Sequence, residues 1–222
     1  MLFSIILPNY NSSRWINKCI DSILSQVYND FELIIVDDMS TDDSVQKIKQ
    51  YNDPRIKLIE LDHKAYNGGT RNIGVANAKG EYILFIDCDD WVNSNMCLFN
   101  IMQEINKTHA DLIRLPYIAY RDGKKGRVRL HENSLKDLVN SIFCAPWTKC
   151  VKREKFVPFP ENTLLEDVVQ HIAQVDNIES IGYCDTPFII WNRSNPDAIS
   201  SDTIKYDKNS KRYSSVYRNL AD

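Results

Sequence analysis

None of the six cysteines in this 222-residue sequence forms a C-x-x-C pair, the spacing used by paired metal-binding or redox cysteines. Cys19, Cys88, Cys97, Cys144, Cys150 and Cys184 therefore read as reduced, structural thiols, several in apolar surroundings. No apolar run is long enough to span a bilayer. Met1 leads into Leu-Phe-Ser-Ile-Ile-Leu-Pro, too short for a signal-peptide core and without a basic flank, so this stretch is expected to be a first strand in a cytoplasmic protein. Basic residues are not in excess: the formal charge is -3, which gives no overall electrostatic reason to expect a nucleic-acid partner. Internal repeats and low-complexity linkers are absent too, and the length suits one sizeable domain or a domain with a large appendage.

What is present is concentrated in Tyr82–Trp91, where an apolar strand runs into Asp87, Asp89 and Asp90. Carboxylates this close raise one another's pKa unless a cation or hydrogen-bond donors share their charge, and a divalent metal is the natural partner. The apolar runs Phe3–Leu7, Phe31–Val36, Ile56–Leu61 and Tyr82–Ile86 are nearly uninterrupted, as strands buried on both faces should be. Between them, Trp15, Ile16, Cys19, Ile20, Ile23, Leu24 and Val27 form one helical stripe. Further helices are expected over Ser44–Tyr51 and over Thr70–Ala78, the latter closed by Lys79-Gly80 as a glycine cap. Alternating strands and helices predict a parallel α/β sheet with ligands at the carboxyl ends of its strands. Four polar clusters fall there: Pro8-Asn9-Tyr10-Asn11, Asp37-Asp38, Asn67 to Asn72, and Asp87 to Asp90.

Beyond Trp91 the pattern predicts a helix over about Asn95–Lys107 and a strand over Asp111–Tyr120, leaving through a turn at Arg121-Asp122-Gly123-Lys124-Lys125-Gly126 into a hairpin partner at Arg127–Leu130. Helices around Leu135–Ile142 and Leu164–Val175 and strands near Ser180–Cys184 and Phe188–Trp191 follow. This second half reads as built onto the first sheet.

Taken together, Ser4 to Asn11, Ile35 to Asp42, Asn67 to Asn72 with Lys79 to Tyr82, the Asp87-Cys88-Asp89 triplet and Leu165-Glu166-Asp167 resemble, in order and spacing, a family 2 glycosyltransferase of the GT-A fold. The resemblance runs from Phe3 to roughly Ser200. Met39 departs from it, since glycine is more usual after the Asp-Asp pair. The resemblance implies an α/β, Rossmann-like, mostly parallel sheet flanked by helices, with acceptor-side additions in the second half. It further implies a single domain over 1–222, with a nucleotide-sugar half at 1–108, an acceptor half at 109–204 and a tail or helix at 205–222. The activity implied is metal-dependent, inverting transfer of a sugar from a UDP-sugar donor to a glycan or lipid-linked acceptor, in bacterial surface polysaccharide synthesis.

The resemblance assigns residues as follows. Pro8, Asn9, Tyr10, Asp38, Asn67, Gly68, Arg71, Asp87 and Cys88 belong to the nucleotide-sugar site, with Asp38 accepting the uracil N3–H and Asp87 near the ribose. Asp89 is the ligand of Mn2+ or Mg2+, either of which an oxygen-rich site takes. Asp167 is the base, supported by Glu166, because an acceptor hydroxyl must lose its proton as it attacks. Asp90, Trp147, Lys149, His171 and Arg193 are further candidates. Each has an ordinary structural alternative: a turn cap for the acids, core packing for Trp147 and His171, a solvated charge for Arg71 and Arg193. Lys205–Arg218 mixes basic residues with tyrosines, a combination that could rest on an anionic membrane face or form an exposed terminal helix. Two other patterns share fragments: Leu84 to Asp89 resembles the nucleophile motif of haloacid-dehalogenase-like phosphatases, and, as a non-enzymatic alternative, Val36-Asp37-Asp38 resembles the acidic pair of a receiver-like phosphoacceptor. A nucleotide-sugar-binding protein without turnover is a further alternative.

Overall fold

The computed structural model describes residues 1–129, 144–161, 163 and 165–196. Its first half alternates β1 (Phe3–Asn9), α1 (Ile16–Leu24), β2 (Phe31–Asp37), α2 (Ser44–Lys49), β3 (Ile56–Glu60), α3 (Tyr66–Ala76) and β4 (Tyr82–Phe85). β1 lies parallel between β2 and β4, and β3 pairs parallel with the outer side of β2. The unbroken apolar character of β1, β2 and β4 follows from burial on both faces, whereas β3, expected to be buried likewise, is an edge strand whose Lys57 and Glu60 are exposed. Phe3, Ile5, Leu7, Leu33, Ile35 and Leu84 face α1 and a later helix, α4 (Cys97–Thr108), whereas Ile6, Ile34, Val36, Ile83 and Phe85 form a second cluster with Phe159 and Ile73. A residue of either set moved to the other face would lose its partners, so the register is fixed.

Two expectations about α3 change. The helix begins at Tyr66 rather than Thr70, so Asn67 to Asn72 is its first two turns and not a loop. Its start is held by the Asp38 carboxylate, which accepts hydrogen bonds from the Ala65 and Tyr66 N–H groups at 2.7 and 3.2 Å, offsetting donors that a helix start leaves unpaired. Nor does Gly80 cap the helix. It is there because a Cβ would stand 2.5 Å from backbone atoms of Phe3 and Ser4, a close approach that only glycine permits.

The second half extends the sheet. The expected strand Asp111–Tyr120 is two strands, β6 (Leu112–Arg114) and β7 (Tyr117–Arg121), in different sheets. Pro116 lies at the break and offers no N–H to a ladder. β9 (Lys149–Lys152), reached through a 3-10 turn at Pro146–Thr148, inserts antiparallel between β4 and β6, and β10 (Ile181–Tyr183) adds parallel to β6. This gives a seven-stranded sheet, order β10-β6-β9-β4-β1-β2-β3.

A smaller sheet has the order β5-β11-β7-β8, with β5 at Trp91–Val92, β8 at Lys124–Arg129 and β11 at Ile189–Asn192. A hairpin follows β7 as expected, but its turn is tighter than the six residues from Arg121 to Gly126: β8 already begins at Lys124, and Asp122 and Gly123 take φ of 49° and 81°, as a two-residue type I′ turn requires. β8 is exposed throughout. The helix expected from Leu164 is α5 (Glu166–Asp176). The helix expected around Leu135–Ile142 and the basic segment Lys205–Arg218 lie outside the described residues. Among the described residues no helix is long and apolar enough to cross a membrane.

Candidate active site

The start of α3 is held by Asp38 after β2, and the loop after β4 and the start of α5 meet at Arg71 of the same helix. This residue, 4% exposed, projects from α3 and donates to Asp87 Oδ1 through Nη2 at 2.8 Å and to Glu166 Oε1 through Nη1 at 3.1 Å. Its guanidinium lies 5.3 Å from the centre of the Phe159 ring. Neither a solvated helix charge nor a freely presented cation describes it: Arg71 ties the loop after β4 to the first turn of α5. Gly68 permits the same junction, because a Cβ there would come within 3.2 Å of Glu166 Cγ, Phe159 Cβ and the Pro160 carbonyl.

The three acids after β4 have different surroundings. Asp87 is the one paired with Arg71. Asp89 is half-buried and accepts from the Asn195 amide at 2.7 Å; burial pushes its carboxyl above the usual range and Asp87 adds to this. Asp90 is 2% exposed, and its carboxyl accepts from the Asn192 N–H in β11 at 2.7 Å. Burial, then Asp89 and Asp87, push Asp90 well up as well. Asp90 thus joins the acidic loop to the small sheet. In the turn that follows β4 the Cys88 thiol points inward to the Pro8 carbonyl at 2.8 Å, while the flanking Asp87 and Asp89 side chains are taken by Arg71 and Asn195.

On the other side of β1, Asn9 is buried and its side chain is spent internally. The amide donates to Asp37 Oδ1 at 2.5 Å, and its oxygen accepts from Ser12. Asn9 therefore braces the loop, while Tyr10, 53% exposed, presents the aromatic ring. Pro8 is half-buried, with its carbonyl taken by Cys88. Asn67 is half-buried in the first turn of α3. Asp38, nearly buried, spends two hydrogen bonds on α3 but retains acceptor capacity, since a carboxylate has about four lone-pair sites. Met39 has φ 61°, so the turn keeps the left-handed geometry that glycine favours.

α5 supplies Glu166 and Asp167 in its first turn. Burial pushes the Glu166 carboxyl up against the pull of Arg71. Asp167 is half-buried, its Oδ1 accepting from the Val168 N–H at 2.9 Å. One turn on, His171 is buried with its Nδ1 2.9 Å from Lys149 Nζ, which also donates to the Cys144 carbonyl at 3.0 Å. Burial, with Arg114 beside it, pushes Lys149 down to about 7. Trp147 is 3% exposed and packs edge-on against Tyr117, with ring centres 5.1 Å apart. It has no broad face open to a sugar ring. Arg193 is exposed, its guanidinium 5.0 Å from the Trp191 ring centre.

Among the described residues no group of three or more His, Cys, Asp or Glu side chains is arranged to hold a metal by itself. Asp89 still fits an ion carried on a diphosphate. Magnesium keeps several waters and needs only one or two protein carboxylates besides phosphate oxygens, and the upward push on Asp89 is charge that a cation would relieve. Sequence reasoning missed Asn195, Phe159 and Lys64. Asn195 lies 106 residues from the Asp89 it bonds, and no spacing signals such a contact.

A mostly parallel sheet with an acidic loop at the carboxyl end of β4 and a second carboxylate pair on a late helix is the GT-A architecture. The solved structure of Staphylococcus aureus TarS residues 1–349 in complex with UDP-GlcNAc superposes with a TM-score of 0.80 at 25% identity, covering 90% of this chain and 61% of that one. A Pyrobaculum calidifontis mannosyltransferase, solved in complex with GDP-Man and Mn2+, shares the fold at TM-score 0.66 and 15% identity, covering 93% of this chain and 65% of that one. The chain belongs to glycosyl transferase family 2, whose family model matches residues 4–173.

Among curated relatives, the Streptococcus pneumoniae glycosyltransferase GlyG is 30% identical over 176 residues, 70% of this chain and 58% of GlyG. The Bacillus spizizenii poly(ribitol-phosphate) beta-glucosyltransferase is 36% identical over 148 residues, 64% of this chain and 23% of that protein. The chain thus spans between about a quarter and three fifths of the length of these relatives.

Proposed function

We propose that this protein transfers a sugar, with inversion, from a UDP-sugar to a hydroxyl of a glycan or lipid-linked acceptor during assembly of a bacterial surface polysaccharide. The observation that carries the reading is the double ion pair of Arg71, which brings Asp87 and Glu166, 95 residues from Arg71, to one point. A junction of this kind is what a transferase needs, because donor and acceptor must meet within reach of one base. The UDP donor is supported by the likeness to TarS, which was solved with UDP-GlcNAc.

In this reading Tyr10 stacks the base, Asp38 accepts its N–H, and Asp87 contacts the ribose. Asp89 would hold Mn2+ or Mg2+, and such an ion would supply Lewis-acid neutralisation of the leaving group. Asp167 accepts the proton of the acceptor hydroxyl; the oxygen bonds to the anomeric carbon as the bond to the diphosphate breaks, and the nucleoside diphosphate leaves. A single displacement inverts the configuration. Glu166, fixed by Arg71, holds the first turn of α5 in place for Asp167.

Membership of family 2 leaves the phosphatase and receiver readings without support. Asp37 is also buried and bonded to Asn9 and Ser40, out of reach of a phosphodonor. Asp167→Asn should lower turnover by about 10²–10⁴-fold, the usual worth of a general base, with UDP affinity unchanged. Retained turnover would reject Asp167 as the base. Release of UDP from UDP-sugars only when acceptor is present separates a transferase from a binding protein.

A further inference from the structure

Lys64, in the segment between β3 and α3, joins the two loops assigned to the nucleotide base. Its ammonium lies 3.2 Å from the centre of the Tyr10 ring, donates to the Asp38 backbone carbonyl and stands 3.7 Å from Asp38 Oδ2. The nearby charged side chains do not compete for it: His63 and Asp62 are exposed and bonded to each other at 2.7 Å. An ammonium has three N–H donors, and the described residues give Lys64 only Asp38 as a hydrogen-bond acceptor.

The contact on Tyr10 is weak for a cation at an exposed ring, whereas a stacked base is held more strongly. A base entering over Tyr10 therefore displaces the ammonium from the ring face. Tethered by its stem beside Asp38, the ammonium then reaches the rim of that base. Uracil presents a carbonyl on each side of its N3–H, so a cationic donor next to a carboxylate acceptor matches its edge. Resting on the donor reading above, we infer that Lys64 is a nucleotide-binding residue that gives up the face of Tyr10 to the base and donates to the base carbonyl beside the N–H taken by Asp38.

The test is titration of uridine and of UDP, followed by ligand NMR, against the wild type, Lys64→Met and Lys64→Arg. Lys64 is partly exposed, and methionine keeps most of its stem, so the fold should be unaffected. Loss of one charge-assisted hydrogen bond should weaken uridine and UDP by the same factor, about tenfold, in Lys64→Met, with Lys64→Arg within a few-fold of wild type. A loss confined to UDP would mean that Lys64 serves the phosphates. Unchanged or tightened binding would mean that it only covers the ring, and either result overturns the inference. Failure of the wild type itself to bind uridine or UDP would instead bring down the donor reading on which it rests.

Discussion

Two aspartate clusters end the strands on either side of β1, and their surroundings differ. After β2, Asp37 accepts from Asn9, the Ser40 hydroxyl and the Ser40 N–H, and Asp38 accepts from two N–H groups at the start of α3. After β4, Asp89 has one amide, Asp90 one N–H and Asp87 one ion pair, while burial pushes the carboxyls of Asp89 and Asp90 up. The first cluster is rich in donors, which shape its loops and leave Asp38 only part of its acceptor capacity. The second is short of positive charge, which is the condition that favours binding a cation. Clusters that look equally acidic in sequence thus separate according to how many donors the fold supplies.

The comparison can be broken most severely at Arg71. Arg71→Met removes the cation shared by Asp87 and Glu166, and loss of one partner from a buried pair costs about 3–5 kcal/mol. Asp87 keeps a third of its side-chain surface exposed, so the expected loss is at the low end, about 3 kcal/mol in urea unfolding, with UDP binding weakened as well. An unfolding midpoint equal to wild type would show that Arg71 does not hold the junction.

A smaller effect follows at Asp90. Its folded-state pKa lies above the unfolded value, so the folded state binds the extra proton, and stability falls as pH rises from the ordinary aspartate range through the folded pKa. Asp90→Asn keeps an acceptor for the Asn192 N–H and removes the charge. Its melting temperature at pH 8, without added metal, should exceed that of wild type, and the gap should close towards pH 4. A gap that does not depend on pH would contradict the account. The smallest effect lies in the donor-rich cluster. Met39→Gly relieves a left-handed residue, a strain of about 1–2 kcal/mol, and gives part of that back in backbone entropy. The expected gain is below about 1 kcal/mol, with UDP affinity unchanged, as differential scanning calorimetry and titration would show.

Strands β1, β2 and β4 were legible because burial on both faces leaves an uninterrupted apolar run; β3, at the sheet edge, was legible from Ile56, Leu58 and Ile59 although Lys57 and Glu60 face solvent. α1 was legible because Ile16, Cys19, Ile20 and Ile23 repeat at helical spacing on its buried face. The start of α3 was not, since its first N–H groups are held by Asp38, far away in sequence and close only in the fold. Pro116 marked the break between β6 and β7, but Asp111–Tyr120 has apolar residues on both sides of it and reads as one strand. In the site, Asp87 and Asp89 could be read from the strand that delivers them, and Glu166 and Asp167 from the family pattern. Burial separated residues that looked alike: Asn9 from Tyr10, Cys88 from its flanking aspartates, Asp90 from Asp89. The bond of Asn195 to Asp89 and the place of Lys64 on Tyr10 leave no periodic trace in the sequence.

The claim that the cluster after β4 is built to accept a cation on a nucleoside diphosphate is tested most directly by calorimetric titration of UDP with and without Mn2+, on the wild type and on Asp89→Ala. Mn2+ should tighten UDP binding by about tenfold or more in the wild type, through the carboxylate and phosphate oxygens it would share, and have little effect in Asp89→Ala. Equal, metal-independent binding by both proteins would contradict it.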